Sequence, residues 1–287
     1  MTVAIFGLGL IGGSIGRSLV KKSSYKIIGY DTDNATLLKA QAMDAIHEEI
    51  DEENIKTVDM VILAVNPNAA VKIMGEICSK LKSGCVVAVC CGNKRMVVNE
   101  MERLRKLYDL EFVGMHPMAG REYSGLSHST LYLFENAYFI LVPVHTSIEG
   151  LVKIKELITY LGDIKVVIST AEKHDKIISY TSQLAHIVSS AYIKNPISQK
   201  HAGYSAGSFK DMTRVAKLNP QMWKELFLEN KDNLIEQIEL FQKELSKFCQ
   251  ALAKDDGDKL EELLKEGADM KETAEIARKI GVVDDKN

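Results

Sequence analysis

Thr2-Val-Ala-Ile-Phe-Gly-Leu-Gly-Leu-Ile-Gly-Gly-Ser14 is the stretch whose reading decides the fold. Its first five residues are β-branched or apolar, a run of the right length for one buried strand. Three glycines come next at the spacing GxGxxG, and Gly13-Ser-Ile-Gly-Arg-Ser-Leu-Val20 continues as a small-residue helix. A glycine loop between a strand and a helix has a definite chemistry. Gly7 permits the tight turn, Gly9 lets the backbone approach a pyrophosphate, and Gly12 lets the helix pack close on the strand. The free N–H groups at the start of that helix then face the phosphates. Glycine-rich turns are common, so the motif gains its weight from the second strand and the acid at its end. Lys26-Ile-Ile-Gly-Tyr30 reads as that strand and ends at Asp31, close to the spacing of about 20 residues expected for a ribose-binding acid. A carboxylate there accepts hydrogen bonds from ribose hydroxyls and repels a 2′-phosphate, which favours NAD over NADP. Asp31 has a plainer alternative as the cap of a helix starting near Asn34, a role open to Asp33 instead.

Outward from this unit the pattern repeats. Val58 to Val65 and Gly84 to Val89 are apolar on both faces, as buried parallel strands are. Helices are expected over 68–81, 95–107 and 146–161. Phe112 to Met115, Ala137 to Val142 and Lys165 to Ile168 read as further strands. Alternating strands and helices predict an α/β Rossmann-type dinucleotide-binding domain over residues 1–168. Ligands of such sheets bind beyond the carboxyl ends of the strands. The expected nucleotide contacts are therefore Gly7, Gly9, Leu10, Ile11 and Gly12 in the loop, with Asp31. Val65 and Asn66 after the third strand and Gly92 after the fourth complete the set. His116 precedes a proline, which excludes the helical region and leaves it extended at a strand end. Its imidazole changes charge near neutral pH and suits proton transfer, although one loop histidine alone is more often structural.

From Ser169 onward strand signals stop, and residues 169–287 read as an all-helical domain. Ala171 to Tyr192 is a continuous helical pattern bearing His174 and His186, twelve residues and roughly 18 Å apart by the helical rise. By that distance the two cannot share a site; His186 is favoured and His174 is taken as structural. A small-residue loop from Gly203 leads into a short helix around Lys210 to Lys217. Asn219 caps the next helix with Pro220 at its first position. That helix is expected to reach about Ala253 along one apolar stripe from Leu226 to Phe248. It exceeds the ordinary globular length and suits contact with a partner subunit. Asp255, Asp256 and Asp258 mark a turn. A last helix or pair covers Leu260 to Ile280, before a frayed end at 284–287.

Composition narrows the classes. The 287 residues are 46% hydrophobic and 26% charged, an ordinary globular balance long enough for two domains. A net charge of −3 argues against nucleic acid or anionic membranes as partners. An anionic substrate must then be met by a few local cations. The five cysteines form no CxxC pair and no zinc-like spacing, so neither a metal site nor a disulfide frame is expected. No apolar stretch approaches the roughly 20 residues of a bilayer span. With no leader pattern at the start, a cytoplasmic protein is expected.

Five stretches in this order carry a family likeness: Gly7-Leu-Gly-Leu-Ile-Gly-Gly-Ser14, His116-Pro-Met-Ala-Gly-Arg-Glu122, Ser182-Gln-Leu-Ala-His186, Gly207-Ser-Phe-Lys-Asp-Met-Thr-Arg214 and Asn219-Pro-Gln-Met-Trp223. Through them nearly the whole chain resembles prephenate dehydrogenase, the oxidoreductase of tyrosine biosynthesis. The resemblance implies NAD as cofactor and a homodimer formed through the helical domain. It also implies that His116 accepts the ring-hydroxyl proton of prephenate, that Arg214 grips a substrate carboxylate, and that His186 lines the same pocket. Gly207 and Trp223 match positions contributed by a second subunit, and Glu122 matches an acidic residue at the mouth of the site. Lys94 is retained and is expected to meet an anionic group, unless it is simply a surface lysine at a helix start.

One departure stands out. Many members carry a serine after the Cys85 to Val89 strand, where it can hydrogen-bond the catalytic histidine; here Gly92 falls at its place. The partner of His116 is then Cys91, a backbone group or water. The alternatives in function are arogenate dehydrogenase, acting on the amino counterpart of the same ring acid, and a Rossmann-plus-helical reductase of the β-hydroxyacid dehydrogenase type. The latter would need a lysine such as Lys173 or Lys176. A module that binds NAD without turnover is the non-enzymatic alternative.

Overall fold

In the computed structural model of the chain the described residues are 1–121 and 123–280, the side chains of 278–280 excepted. They fall into two compact units, one from Met1 to Leu234 and one that begins at Ile235. In the first, β1 (Thr2–Phe6) leads through the glycine loop into α1 (Leu10–Lys22), then β2 (Lys26–Tyr30), α2 (Asn34–Ala42) and a two-residue strand β3 (Glu48–Glu49). Next come β4 (Met60–Leu63), α3 (Pro67–Ile77), β5 (Val86–Val89), α4 (Arg95–Leu104) and β6 (Glu111–Pro117). β7 (Tyr138–Val144), α5 (Ile148–Thr159) and β8 (Lys165–Ile168) complete the alternation.

Among the described residues the strands make one eight-stranded sheet in the order β3-β2-β1-β4-β5-β6-β7-β8. Strands β1 to β6 run parallel; β7 is antiparallel to β6, and β8 is parallel to β7. Because successive strand side chains point to opposite faces, the sheet divides the core into two layers. Val3, Ile5, Ile27, Met60, Ile62, Val113 and Met115 face one side with Ile15, Leu19, Leu37, Ile154 and Leu157 from α1, α2 and α5. Ala4, Phe6, Ile28, Val61, Leu63, Val87 and Phe112 face the other with Met74, Ile77, Val97, Met101 and Leu104 from α3 and α4. Both faces are covered, which is why these strands read as unbroken apolar runs.

The strand order reverses between β1 and β4, and such a switch point opens a crevice beyond the strand ends. Gly7 lies there with φ +87°, and a Cβ on it would come within 2.6 Å of Ala64 O and Val65 Cγ1. The glycine loop is thereby pressed onto the end of β4. His116 is the second-last residue of β6, paired with Ile140 of β7 rather than lying in a loop beyond the strand.

Beyond β8 the chain turns helical. α6 (Ala171–Ile178) passes through a π-helical turn, Ser179–Leu184, into α7 (Ala185–Ile193). The continuous pattern expected over 171–192 is thus a single run with one widened turn, a feature frequent at functional sites. α8 (Gly207–Thr213) begins three residues before its expected start. α9 (Pro220–Glu229) is capped by Asn219 Oδ1, which accepts from the N–H groups of Gln221 and Met222. The single helix expected from 219 to 253 is in fact two: α9 ends at Asn230 (φ −114°, ψ 24°), and α10 (Lys231–Ala253) starts anew. The cause is local. Asn230 is fully buried, and its Nδ2 donates to Asp175 O at 2.8 Å and Gln183 Oε1 at 2.9 Å. An apolar stripe carries no trace of that polar anchor. The second unit holds the rest of α10 and α11 (Gly257–Ile280), with Asp255 at φ 51° in the turn before α11. α11 is one helix that starts three residues ahead of Leu260, and residues 284–287 lie outside the described part.

Candidate active site

The glycine loop has the shape a dinucleotide needs. Nothing lies within 4 Å of a Cβ built on Gly9, so the space before the loop is open. A Cβ on Gly12 would come within 1.9 Å of Gly7 O, so close approach of α1 demands glycine. Leu10 and Ile11 open α1, and Asn66 caps α3 without a side-chain bond of its own. Asp31 Oδ2 accepts from Leu8 N at 2.8 Å and Oδ1 from Asp33 N at 3.1 Å, which holds the carboxylate at the end of β2. The helix α2 is capped by Asp33, whose Oδ1 accepts from Ala35 N at 3.1 Å. The capping role is filled, and Asp31 keeps lone pairs for a ribose. Asp31→Ser is expected to narrow a preference for NAD+ over NADP+ by removing the repulsion of a 2′-phosphate. Initial rates with the two cofactors measure it, and equal or better turnover with NADP+ by the unaltered chain would falsify the assignment.

The second group gathers at the ends of β5 and β6. His116 is half-buried, and its Nδ1 lies 2.7 Å from His174 Nε2. His174 Nδ1 lies 2.7 Å from Asp175 Oδ1, and both residues are buried. The partner of His116 is therefore His174, a histidine that reads as structural in the sequence. A separation of roughly 18 Å along the helix parts His174 from His186 but leaves open which of them meets His116. Only the packing of α6 against the ends of β5 and β6 decides that. The one signal in the sequence is the HD dipeptide at 174–175, a histidine beside an acid in an otherwise apolar helix face. Burial, then the positive charges of Lys94 and His174, hold His116 well below the usual histidine range. Burial also lowers His174, against the opposing pull of Asp175. Burial alone would raise Asp175, but bonds from His174 and from the N–H groups of Arg95 and Lys94 outweigh it and keep the carboxyl below its usual range.

Lys94 is not a surface lysine. It is fully buried, its Nζ donates to Cys91 O, and its chain lies over Gly114, where a Cβ would meet Cδ at 2.8 Å. Its ammonium lies inside the protein and acts on His116 through space. The expected serine place is closed as well: a Cβ on Gly92 would lie 3.0 Å from Leu226 Cδ2 of α9. Cys91 Sγ bonds Asn93 O at 2.8 Å rather than the histidine.

His186 has contacts of its own. Its ring stacks on Trp223 with centroids 3.8 Å apart, and its Nδ1 bonds Ser182 O at 2.9 Å. Burial and then the nearby charge of Arg214 lower its pKa, against the Ser182 bond. His186, Ser190, Lys194, Trp223 and Phe227 line an open groove of about 380 Å³. Arg214 comes directly after α8 and is exposed, as is Gly207 at the start of that helix. Glu122 lies outside the described residues.

This order of parts matches known proteins over most of the chain. The family model for the prephenate dehydrogenase nucleotide-binding domain covers residues 15–170, and that for the prephenate dehydrogenase dimerization domain covers 170–266. The chain belongs to the prephenate dehydrogenase family. The prephenate dehydrogenase of Lactococcus lactis subsp. cremoris is 31% identical across 96% of this chain and 77% of its own. The cyclohexadienyl dehydrogenase of Zymomonas mobilis is 30% identical across 92% of each. Among solved structures, prephenate dehydrogenase from A. aeolicus in complex with hydroxyphenyl propionate and NAD+ superposes with a TM-score of 0.85 at 30% identity. That match covers 96% of this chain and 98% of that one. Within the prephenate dehydrogenase family the two models meet at residue 170, just past β8, where the strands of this chain end.

Proposed function

We propose that the chain oxidises and decarboxylates prephenate to 4-hydroxyphenylpyruvate in tyrosine biosynthesis, with NAD+ as hydride acceptor and His116 as the base. The observation that carries the reading is a histidine at the end of β6 whose surroundings keep it neutral, in the same unit as a glycine loop open for a pyrophosphate. NAD+, once bound, takes up the hydride that leaves the hydroxyl-bearing ring carbon. His116 removes the hydroxyl proton of that carbon, so a carbonyl forms there as the C–H bonding pair departs. The ring carboxylate then leaves as CO₂, its bonding pair enters the ring, and the carbonyl oxygen takes a proton as the ring becomes aromatic. Arg214 suits the remaining carboxylate because a guanidinium donates two parallel hydrogen bonds.

The division of labour runs along the chain. Residues 1–168 are proposed to hold the nucleotide and to supply the base His116, and 169–287 to serve the rest of the substrate and the dimer. Gly207 and Trp223 are proposed to serve a site that two subunits share. The second helical unit exposes Leu240, Leu245, Leu252, Leu264 and Met270, as a surface meant for a second copy would. No helix among the described residues is long and apolar enough to cross a membrane. A cytoplasmic homodimer is proposed.

Adding NAD+ with prephenate, with arogenate or with neither, and following NADH absorbance, tests the reading. Turnover with prephenate above that with arogenate is expected. Preference for arogenate would move the chain to the amino-substituted ring acid, and silence with both would leave a nucleotide-binding module.

A further inference from the structure

We propose that Asp175 is a positioning residue for the reaction: acting through His174, it sets which nitrogen of His116 is free to take the proton and balances the charge that the proton brings. The inference rests on His116 being the base. An ionised carboxylate only accepts. Asp175 Oδ1, 2.7 Å from His174 Nδ1, therefore requires a proton on that nitrogen. A neutral His174 then has a bare Nε2, which at 2.7 Å can only accept from His116 Nδ1. His116 is left with a bare Nε2, the nitrogen turned away from this chain of bonds. One carboxylate, two rings away, thus fixes the tautomer of the base.

The charge takes the same path. Before reaction the three groups carry a net charge of −1. When Nε2 of His116 takes the hydroxyl proton, the sum becomes zero. The Nδ1 proton of His116 can pass to His174 Nε2, which places an imidazolium directly against Asp175. The positive charge that the proton brings is then met by a carboxylate, which favours a shielded histidine as a base.

Asp175 is held as such a role requires. Its two oxygens also accept from Lys94 N at 2.8 Å and Arg95 N at 2.9 Å, the first backbone donors of α4. Arg95 Nε lies 3.4 Å from Oδ2, and its other nitrogens bind Asp232 at 2.6 and 2.7 Å and Asn230 at 2.9 Å. Asn230 returns to the carbonyl of Asp175 itself. Gln183, inside the π-helical turn, accepts from Asn230 and donates to Asn93 Oδ1 at 2.9 Å. Among the described residues, Lys94, Arg95, Glu229, Asp232 and the Cys91 thiol are charged or titratable groups around this core, at the start of α4, at the end of α9, at the start of α10 and after β5. None of them touches a ring nitrogen of either histidine among the bonds described. With Gly92 lacking a hydroxyl and Leu226 closing its place, His174 is the side-chain hydrogen-bond partner of His116 among the described residues.

Asp175→Asn is the decisive variant. An amide can present NH₂ to His174 Nδ1, which reverses every bond in the chain and leaves His116 with its proton on Nε2. The expected result is a kcat lowered by about 10²–10⁴-fold at neutral pH, the scale of a mis-set histidine tautomer. KM and NAD+ affinity should stay within about three-fold, and the acidic limb of kcat should move to lower pH because the compensating charge is gone. Nitrogen-15 spectra of the histidine-labelled unaltered chain at neutral pH give a readout independent of turnover and of the variant's folding. They should show His116 protonated at Nδ1 and bare at Nε2. A bare Nδ1 on His116 would overturn the proposal, as would a folded Asp175→Asn with full kcat and an unmoved limb. If His116→Asn is inactive while Asp175→Asn is not, the base stands and the relay falls. If His116→Asn itself turns over freely, the reading of the base has failed, and this inference with it.

Discussion

His116→Asn is expected to lower kcat by about 10²–10⁴-fold, the usual contribution of a positioned acid or base. Asparagine keeps a polar group at the end of β6 that can still meet His174 Nε2, so the loss reports proton transfer more than packing. The pH dependence has a definite sign. A general base works when deprotonated, so kcat of the unaltered chain falls as pH drops through the pKa of His116. Burial, together with the charges of Lys94 and His174, pushes that pKa well below the usual value near 6.5. The acidic limb should therefore lie below the range of an ordinary histidine, with kcat flat through neutral pH. In the variant that limb should vanish, while NAD+ binding, read by fluorescence or calorimetry, stays within a few-fold. Near-full turnover, or an unchanged limb at reduced rate, would place the base elsewhere, and His186 would be the next histidine to replace.

The contrast between the two histidines of the helical segment shows how far a sequence carries. The glycine loop, Asp31 and the apolar strands are legible because their chemistry is local: backbone room, a strand end, a period of two. Asp33 as the α2 cap is legible for the same reason. His116 can be placed at a strand end because proline restricts the residue before it. His174 cannot be assigned from its own neighbours, since its role depends on α6 reaching the ends of β5 and β6 from 58 residues away. The burial of Lys94 is illegible for a related reason. A lysine at a helix start reads as solvated, yet the carbonyl of Cys91 and the bare surface of Gly114 give it a buried place. The break at Asn230 is the same lesson in backbone form. Its cause is a set of bonds to residues 47 and 55 positions earlier, which no period within the helix can signal.

Arg214→Ala is expected to raise the KM for the ring-acid substrate by about 10–100-fold, the equivalent of a charge-assisted hydrogen bond contributing roughly 1.5–3 kcal/mol. Arg214 lies just past α8 on the exposed side of the helical segment, and its charge reaches His186, which stacks on Trp223. A guanidinium there is proposed to meet the substrate anion, while the nucleotide is proposed to lie against the glycine loop at the end of β1. Substrate affinity and NAD+ affinity should therefore separate: the first falls, the second changes by less than about two-fold. Arg214→Lys should lie between, because an ammonium keeps the charge but not the two-pronged geometry. The neighbouring histidine supplies an internal check. Removing the guanidinium relieves one of the causes that lower the pKa of His186, so its titration, followed by NMR, should move upward in Arg214→Ala. If both affinities fall together and the melting temperature drops with them, Arg214 holds the helical segment in place. The carboxylate must then be met by another cation, and Lys194 in the groove beside His186 is the one to replace next.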